Sequence, residues 1–182
     1  MAMNLDETAN FNAARAGDQK AFERLVDPYR RQLLVHCYRI LGSFEDAEDM
    51  LQETLVRVWK KLNSFEGRSS LRAWLYKIAT NTTRTHLKQR GRIAARTIDL
   101  DPDLQSDKSP PADQVDQRQV LKAVARAVEA LPDRQRAALI MRKYQELSYA
   151  EIAAALDCTE DSARANVYQA LKKLRAQFAV NE

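Results

Sequence analysis

SYAEIAAALDCTEDSARANVYQALKKL (148–174) is the stretch whose reading decides the fold. Ser148-Tyr149-Ala150-Glu151 is a capping-box pattern, a hydroxyl three residues ahead of a carboxylate, and it opens a short helix through Leu156. Thr159 caps a second helix whose first turn carries Glu160 and Asp161, where unsatisfied backbone N–H groups favour acids. Only Asp157 and Cys158 lie between, the spacing of a helix-turn-helix. Ala153, Ala154 and Ala155 are small enough for close helix approach, and Val167, Leu171 and Leu174 give the second helix a buried face. Its other face carries Arg164, Asn166, Gln169, Lys172 and Lys173, types suited to base edges and phosphates. An ordinary helical hairpin with a solvated face has the same pattern.

Working upstream, Val120, Val124, Ala127, Val128 and Leu131 form another apolar stripe, and Pro132-Asp133 suits the first turn of the next helix. Before that, DLDPDLQSDKSPPADQVD (99–116) holds three prolines and six acids against one lysine. Such a segment buries no core and is expected to be a flexible linker.

On its other side, Phe22, Leu25, Val26, Tyr29, Leu33, Leu34, Cys37 and Leu41 recur at helical spacing between Phe11 and Leu41, predicting one helix or a helix pair. Pro28 is a kink candidate and Gly42 the stop. Ser43 caps a following helix with the apolar line Ala47, Leu51, Leu55, Val58 and Leu62. Asp46, Asp49 and Glu53 project together from that helix at i, i+3, i+7 spacing, with Gln52 beside them. They fit a cation-rich partner, although a solvated acidic face and an acid–base or metal-binding carboxylate pair share the pattern. NSFEGRSS (63–70) reads as a loop turning at Gly67, and Leu71, Trp74, Leu75, Ile78 and Ala79 restart a helix to about Gln89. Phe65, Trp74 and Tyr76 mix there with Arg68, Arg72, Lys77, Arg84 and Lys88, types that stack on unpaired bases and neutralise phosphate. Trp74 equally suits a core, and His86 a surface position near phosphate.

The fold class is therefore all-α: two small helical domains joined by a flexible linker, the second containing the helix-turn-helix. The 182 residues, with 45% hydrophobic residues but only four glycines and five prolines, agree with this reading. A net charge of +4 is too modest to identify a polyanionic partner, but its segregation is informative. Residues 81–96 carry five bases and no acid, whereas 44–53 carry five acids and no base. Cys37 and Cys158 are too far apart to suggest a disulfide framework and read as packing thiols of a cytoplasmic protein. No apolar run of membrane-spanning length and no leader pattern is present, so membrane insertion and export are not expected. The dispersed glycines form no phosphate-cradling loop, and no nucleophile or zinc signature occurs. No catalytic residue, metal or cofactor is expected.

DAEDMLQETLVRVWKKLNSF (46–65) with AWLYKIATN (73–81), and LPDRQRAALIMRKYQELSYAEIAAALDC (131–158), resemble the extracytoplasmic-function group of bacterial sigma-70 RNA polymerase sigma factors. The resemblance implies a division into 10–92, binding core polymerase and opening the minus-ten element, a linker over 93–116, and 117–178, reading the minus-thirty-five element. It implies that Asp49, Gln52 and Glu53, with Asp46, form the motif that docks on the clamp helices of the largest polymerase subunit. Asn63, Phe65, Arg68, Trp74, Lys77, Asn81, Arg84 and Lys88 are then the minus-ten set, the loop accepting a base flipped out of the duplex. Thr159, Ser162, Arg164, Asn166, Tyr168, Gln169, Lys172 and Lys173 are the minus-thirty-five set.

Asp161-Ser162-Ala163-Arg164-Ala165-Asn166 stands where the family often has Gly-Thr-Val-Arg-Ser-Arg, and Gln169 where arginine is frequent, so fewer charges reach the groove. Thr80 and Thr85 replace a common arginine and aspartate. The partners implied are core RNA polymerase, promoter DNA as duplex and single strand, and an anti-sigma factor; the acidic linker is implied to lie in the polymerase's RNA path. A polymerase-independent DNA-binding repressor and a helical adaptor are the competing readings, the first expected to bind its operator alone.

Overall fold

Every regular element of the computed structural model, which describes residues 4–98 and 117–178 (side chains 4–92 and 123–178), is helical. In chain order these are α1 (Leu5–Arg15), α2 (Gln19–Leu41), α3 (Phe44–Lys61), a 3-10 turn (Leu62–Ser64), α4 (Leu71–Ile98), α5 (Gln117–Glu129), α6 (Asp133–Tyr144), α7 (Tyr149–Leu156) and α8 (Glu160–Phe178).

The expected helix or pair before Gly42 is a pair, because Gly17 takes φ +100° and the Asp18 side chain accepts the Ala21 N–H at 3.0 Å, ending one helix and capping the next. α1 starts ahead of Phe11, on an Asn4–Glu7 capping box. Pro28 lies inside α2, which continues to Leu41 despite the backbone donor a proline lacks. Gly42 ends it in the left-handed region at φ +74°, donating to the Tyr38 carbonyl at 2.8 Å. A Cβ at Gly42 would lie 2.7 Å from Glu129 Oε1, the movable end of a side chain, so it is the left-handed backbone that favours glycine there. Ser43 caps α3 through the Asp46 N–H at 3.2 Å.

α4 runs beyond the Gln89 expected from sequence. Gly91 costs a helix about 1 kcal/mol against alanine, which good helix formers on both sides offset, so residues 93–98, read as the start of the linker, are helical. The segment 99–116 lies outside the described residues, as does its implied place in the polymerase. Within α4 the buried Thr82 and Thr83 hydroxyls donate to the Ile78 and Ala79 carbonyls, satisfying polar groups that face apolar neighbours.

In the second half, the Ser148–Glu151 capping box opens α7 and Asp157 closes it in the left-handed region. Thr159 Oγ1 accepts the Ser162 N–H at 3.2 Å to begin α8. Ala163, Val167 and Ala170 are the buried positions of α8, with Leu171 and Leu174 packed beside them.

The two halves share one apolar cluster, from Leu25, Leu33, Leu55 and Leu75 through to Leu139, Met141, Ile152 and Val167. α4 packs on α7, and α2 on α6. The buried Gln145 side chain accepts the Tyr76 hydroxyl at 2.7 Å while its carbonyl accepts from Arg72. Arg136, buried, donates to the Ile40 carbonyl at 3.1 Å, reaching one of the orphan carbonyls at the end of α2.

Candidate polymerase and nucleic-acid interfaces

Three surfaces collect the residues singled out from sequence. On α3, Asp49 and Gln52 are exposed, while Glu53 is braced by Arg57 one turn on, with Nε 3.0 Å from Oε1. Asp46 is turned toward the far end of α4, where Arg90 Nη1 lies 2.6 Å and His86 Nε2 3.4 Å from its carboxylate. The His86 contact is a close approach without hydrogen-bond geometry. His86, read from sequence as a surface residue near phosphate, is thus partly buried beside a carboxylate. Next to Gln52 a groove of about 290 Å³ runs between α2 and α3, lined by Phe22, Leu55, Val56 and Trp59. The surface therefore offers carboxylates and an amide next to a shallow apolar seat, with Val56 half exposed.

The second surface is the loop after α3 and the stripe of α4. Gly67 turns the loop at φ +70°. Arg68 is exposed and paired with Glu66, and Asn63 is exposed, accepting from Arg15 Nε at 3.4 Å. Phe65 is not at the surface: it is 7% exposed, its ring 5.4 Å from Phe11 and 5.0 Å from Trp74. Trp74 is half-buried against the core. Trp74, Lys77, Asn81, Arg84 and Lys88 share one face of α4, because their spacing returns every three or four residues. Asn81 and Lys88 are exposed. Lys77 pairs with Asp157 at 2.6 Å, and Arg84 Nε approaches Asp133 at 3.8 Å, so part of this stripe meets acids of the second half. Thr80 is buried and bonds His36 Nε2 at 2.9 Å, which gives a packing reason for a hydroxyl at that position. Thr85 is exposed and donates to the Asn81 carbonyl.

The third surface is α8. Arg164, Tyr168 and Lys172 form one exposed row at i, i+4, i+8, and Ser162, Gln169 and Lys173 are exposed about a third of a turn round the helix from it, with Asn166 among them partly buried. Tyr168 is 62% exposed. Asn166 Nδ2 donates to the Ser162 carbonyl at 2.8 Å and Thr159 caps the helix, so these two also serve local structure. Sequence reasoning passed over Arg142 and Tyr149, which meet Arg164 here: both guanidiniums lie over the Tyr149 ring. Residues 142, 149 and 164 lie on three different helices, so no periodicity announces them.

Beside the loop, Glu151 links the halves, accepting from the Ser70 hydroxyl at 3.2 Å. Burial pushes its carboxyl up, but hydrogen bonds from the Ser148 N–H and hydroxyl and from Ser70, with the Arg72 charge, hold it below the usual carboxylate range. No described helix is long and apolar enough to cross a membrane.

The family models for Sigma-70 region 2 and Sigma-70 region 4 match residues 25–93 and 121–174. Among curated relatives, the ECF RNA polymerase sigma factor SigG of Mycobacterium tuberculosis is 39% identical over 164 residues, 78% of this chain but 44% of SigG, so the chain spans less than half that relative's length. The ECF RNA polymerase sigma-E factor of Escherichia coli is 31% identical over 179 residues, 93% of either chain. Among solved structures, the sigma factor RpoE in complex with the anti-sigma factor NepR from Bartonella quintana superposes with a TM-score of 0.68 at 27% identity, covering 90% of this chain and 99% of that one. With both regions present in order and set on this helical frame, the chain belongs to the extracytoplasmic-function group of the sigma-70 family of RNA polymerase sigma factors.

Proposed function

We propose that this chain binds core RNA polymerase and directs promoter-specific initiation, taking the minus-ten element on its first domain and the minus-thirty-five element on its second, without chemistry of its own. One observation carries the reading: an exposed acidic patch, a basic and aromatic stripe, and an open basic helix-turn-helix face sit on three different helices, α3, α4 and α8. A repressor needs only the last of these.

In this reading Asp49, Gln52 and Glu53 meet the polymerase clamp helices, and an apolar partner side chain seats between Phe22, Val56 and Trp59. Asn81, Arg84 and Lys88 hold the opened minus-ten strand, and Arg164 with Gln169, Lys172 and Lys173 reads the minus-thirty-five duplex. Phe65 supports the loop from beneath as a core ring, leaving Asn63, Arg68 and the loop backbone to meet the flipped base. The division between the domains falls after α4 ends at Ile98 and before α5 begins at Gln117. The site of action is the cytoplasm, where polymerase and chromosome are, and the chemistry is the polymerase's. By analogy with RpoE and NepR, an anti-sigma factor restrains the chain.

The test is run-off transcription by core polymerase with the wild-type chain and with an Asp49→Ala, Gln52→Ala, Glu53→Ala variant of unchanged thermal stability. The expected result is a discrete transcript that the variant loses. Tight operator binding by the chain alone, with no association to core polymerase, would replace this reading by the repressor.

A further inference from the structure

Tyr149 is the first residue of α7, its ring half-buried at the corner where α6, α7 and α8 meet. The Arg142 guanidinium carbon lies 4.9 Å from the ring centroid and that of Arg164 lies 4.7 Å from it. Arg142 Nη1 also donates to the Leu147 carbonyl at 3.1 Å, and Arg164 Nη2 to Glu160 Oε1 at 3.2 Å. Two full positive charges thus converge on one neutral ring. Among the described contacts Glu160 is the one carboxylate facing them, which leaves an excess of positive charge at an open corner. An anion arriving there relieves the repulsion.

An exposed arginine ordinarily samples many rotamers, and the Arg164 side chain is 58% exposed. The ring beneath it and the carboxylate one turn back hold its planar fork in one direction. A bidentate contact to guanine requires that direction, because both hydrogen bonds form in the plane of the base. Arg142 is anchored at its own end by the Leu147 carbonyl, and its helix ends before the turn that leads into α7, so it flanks the reading helix instead of lying on it. That is the place of a backbone contact, which fixes register without reading sequence.

We infer that Tyr149 is a positioning residue that aims Arg164 at a base edge, and that Arg142 contacts a backbone phosphate on the same face. The inference rests on the proposed reading of the minus-thirty-five element by α8. Its sharpest consequence is a division of labour: removing the ring changes which base pair is preferred, and removing the Arg142 charge changes affinity without changing preference.

The experiment measures binding of holoenzyme, assembled from core polymerase and the full chain, to promoter duplexes randomised across the minus-thirty-five element at several salt concentrations. Arg164→Ala first marks the base pair that Arg164 reads. Tyr149→Leu is expected to lower the preference at that pair by about 2- to 5-fold, the size of one exposed cation–ring contact, and Tyr149→Phe, which keeps the ring, to restore it. Arg142→Gln is expected to weaken all sequences alike and to reduce the slope of log K against log salt by about 1. Thermal melting and core-polymerase association report that each variant is folded. If Tyr149→Leu weakens every duplex equally, the ring is structural and the positioning role is overturned; an unchanged salt slope in Arg142→Gln overturns the phosphate contact. A wild-type holoenzyme with no minus-thirty-five preference, or an Arg164→Ala variant with unaltered preference, overturns instead the reading of α8 on which both assignments stand.

Discussion

His36 shows how one residue couples pH to the fold. It has no solvent exposure, its ring packs edge-on against Tyr76, and Nε2 is hydrogen-bonded to Thr80 Oγ1 at 2.9 Å while Nδ1 has no partner. Burial alone pushes its pKa down to about 3. In the unfolded chain the imidazole titrates near 6.5, so between about 6.5 and 3 the unfolded state binds a proton that the folded state refuses. The stability from a neutral His36 is fully present above pH 6.5 and is lost as pH falls through that window, at up to about 1.4 kcal/mol per pH unit. Urea denaturation at pH 7 and pH 5 should show this decline, and His36→Gln, which cannot titrate, should flatten it. An equal decline in both proteins would assign the acid sensitivity elsewhere.

At the scale of elements, the same substitution should have opposite signs at two glycines. Gly91 is exposed within α4, with nothing within 4 Å of an added Cβ, so Gly91→Ala gains helix propensity and should stabilise by up to about 1 kcal/mol. Gly42 sits at φ +74° where α2 ends, and an added Cβ would meet Glu129 Oε1. The carboxylate is the flexible end of a side chain and can move, so the left-handed backbone dominates, and Gly42→Ala should destabilise by about 1–2 kcal/mol. Thermal denaturation of the pair reads both signs; two shifts in the same direction would mean that the α4 or the α2 boundary differs from that described. Neither change touches the exposed faces of α3 or α8, so on the proposed reading both variants should still associate with core polymerase.

The whole molecule is held closed chiefly by buried contacts, with the visible ion pairs contributing less. Lys77–Asp157 has side chains 35% and 64% exposed and is worth under about 1 kcal/mol. Tyr76→Phe instead strands the buried Gln145 amide oxygen of its 2.7 Å donor and should cost about 1–3 kcal/mol. Hydrogen exchange should therefore show α7 and α4 deprotected together by Tyr76→Phe and barely affected by Asp157→Asn, which keeps a residue tolerant of the left-handed position. Closure also limits function. A folded chain of 182 residues has a radius of gyration of about 16 Å, whereas elements roughly 25 base pairs apart are separated by roughly 85 Å of duplex. On the proposed reading the halves must separate for both to be reached at once, which frees Lys77 and Arg84 from the Asp157 and Asp133 they meet in the closed chain. Fluorophores on α1 and α8 should move apart when core polymerase is added, and an unchanged distance in an active holoenzyme would contradict the required separation.

The helices and their ends were legible in the sequence because the forces that set them are local. Ser43, Ser148 with Glu151, and Thr159 act on backbone groups three residues away, and the apolar period needs only one helix turn to declare itself. The acidic face of α3 and the polar face of α8 were readable for the same reason. Helix lengths were less so: α4 passes through Gly91 because the propensity cost of one glycine is small beside the formers around it. What the tertiary structure alone decided is which of those faces is bare. Phe65 became core because Phe11 and Trp74 enclose it, and Asp46 turned from the acidic patch because the end of α4 brings Arg90 to it. Arg142, Tyr149 and Arg164 met at a three-helix corner. The bonds that close the domains join residues as distant as Ser70 and Glu151, 81 apart, and Ile40 and Arg136, 96 apart. Such pairings depend on the shapes of two assembled surfaces, and no repeat or spacing along a single chain encodes them.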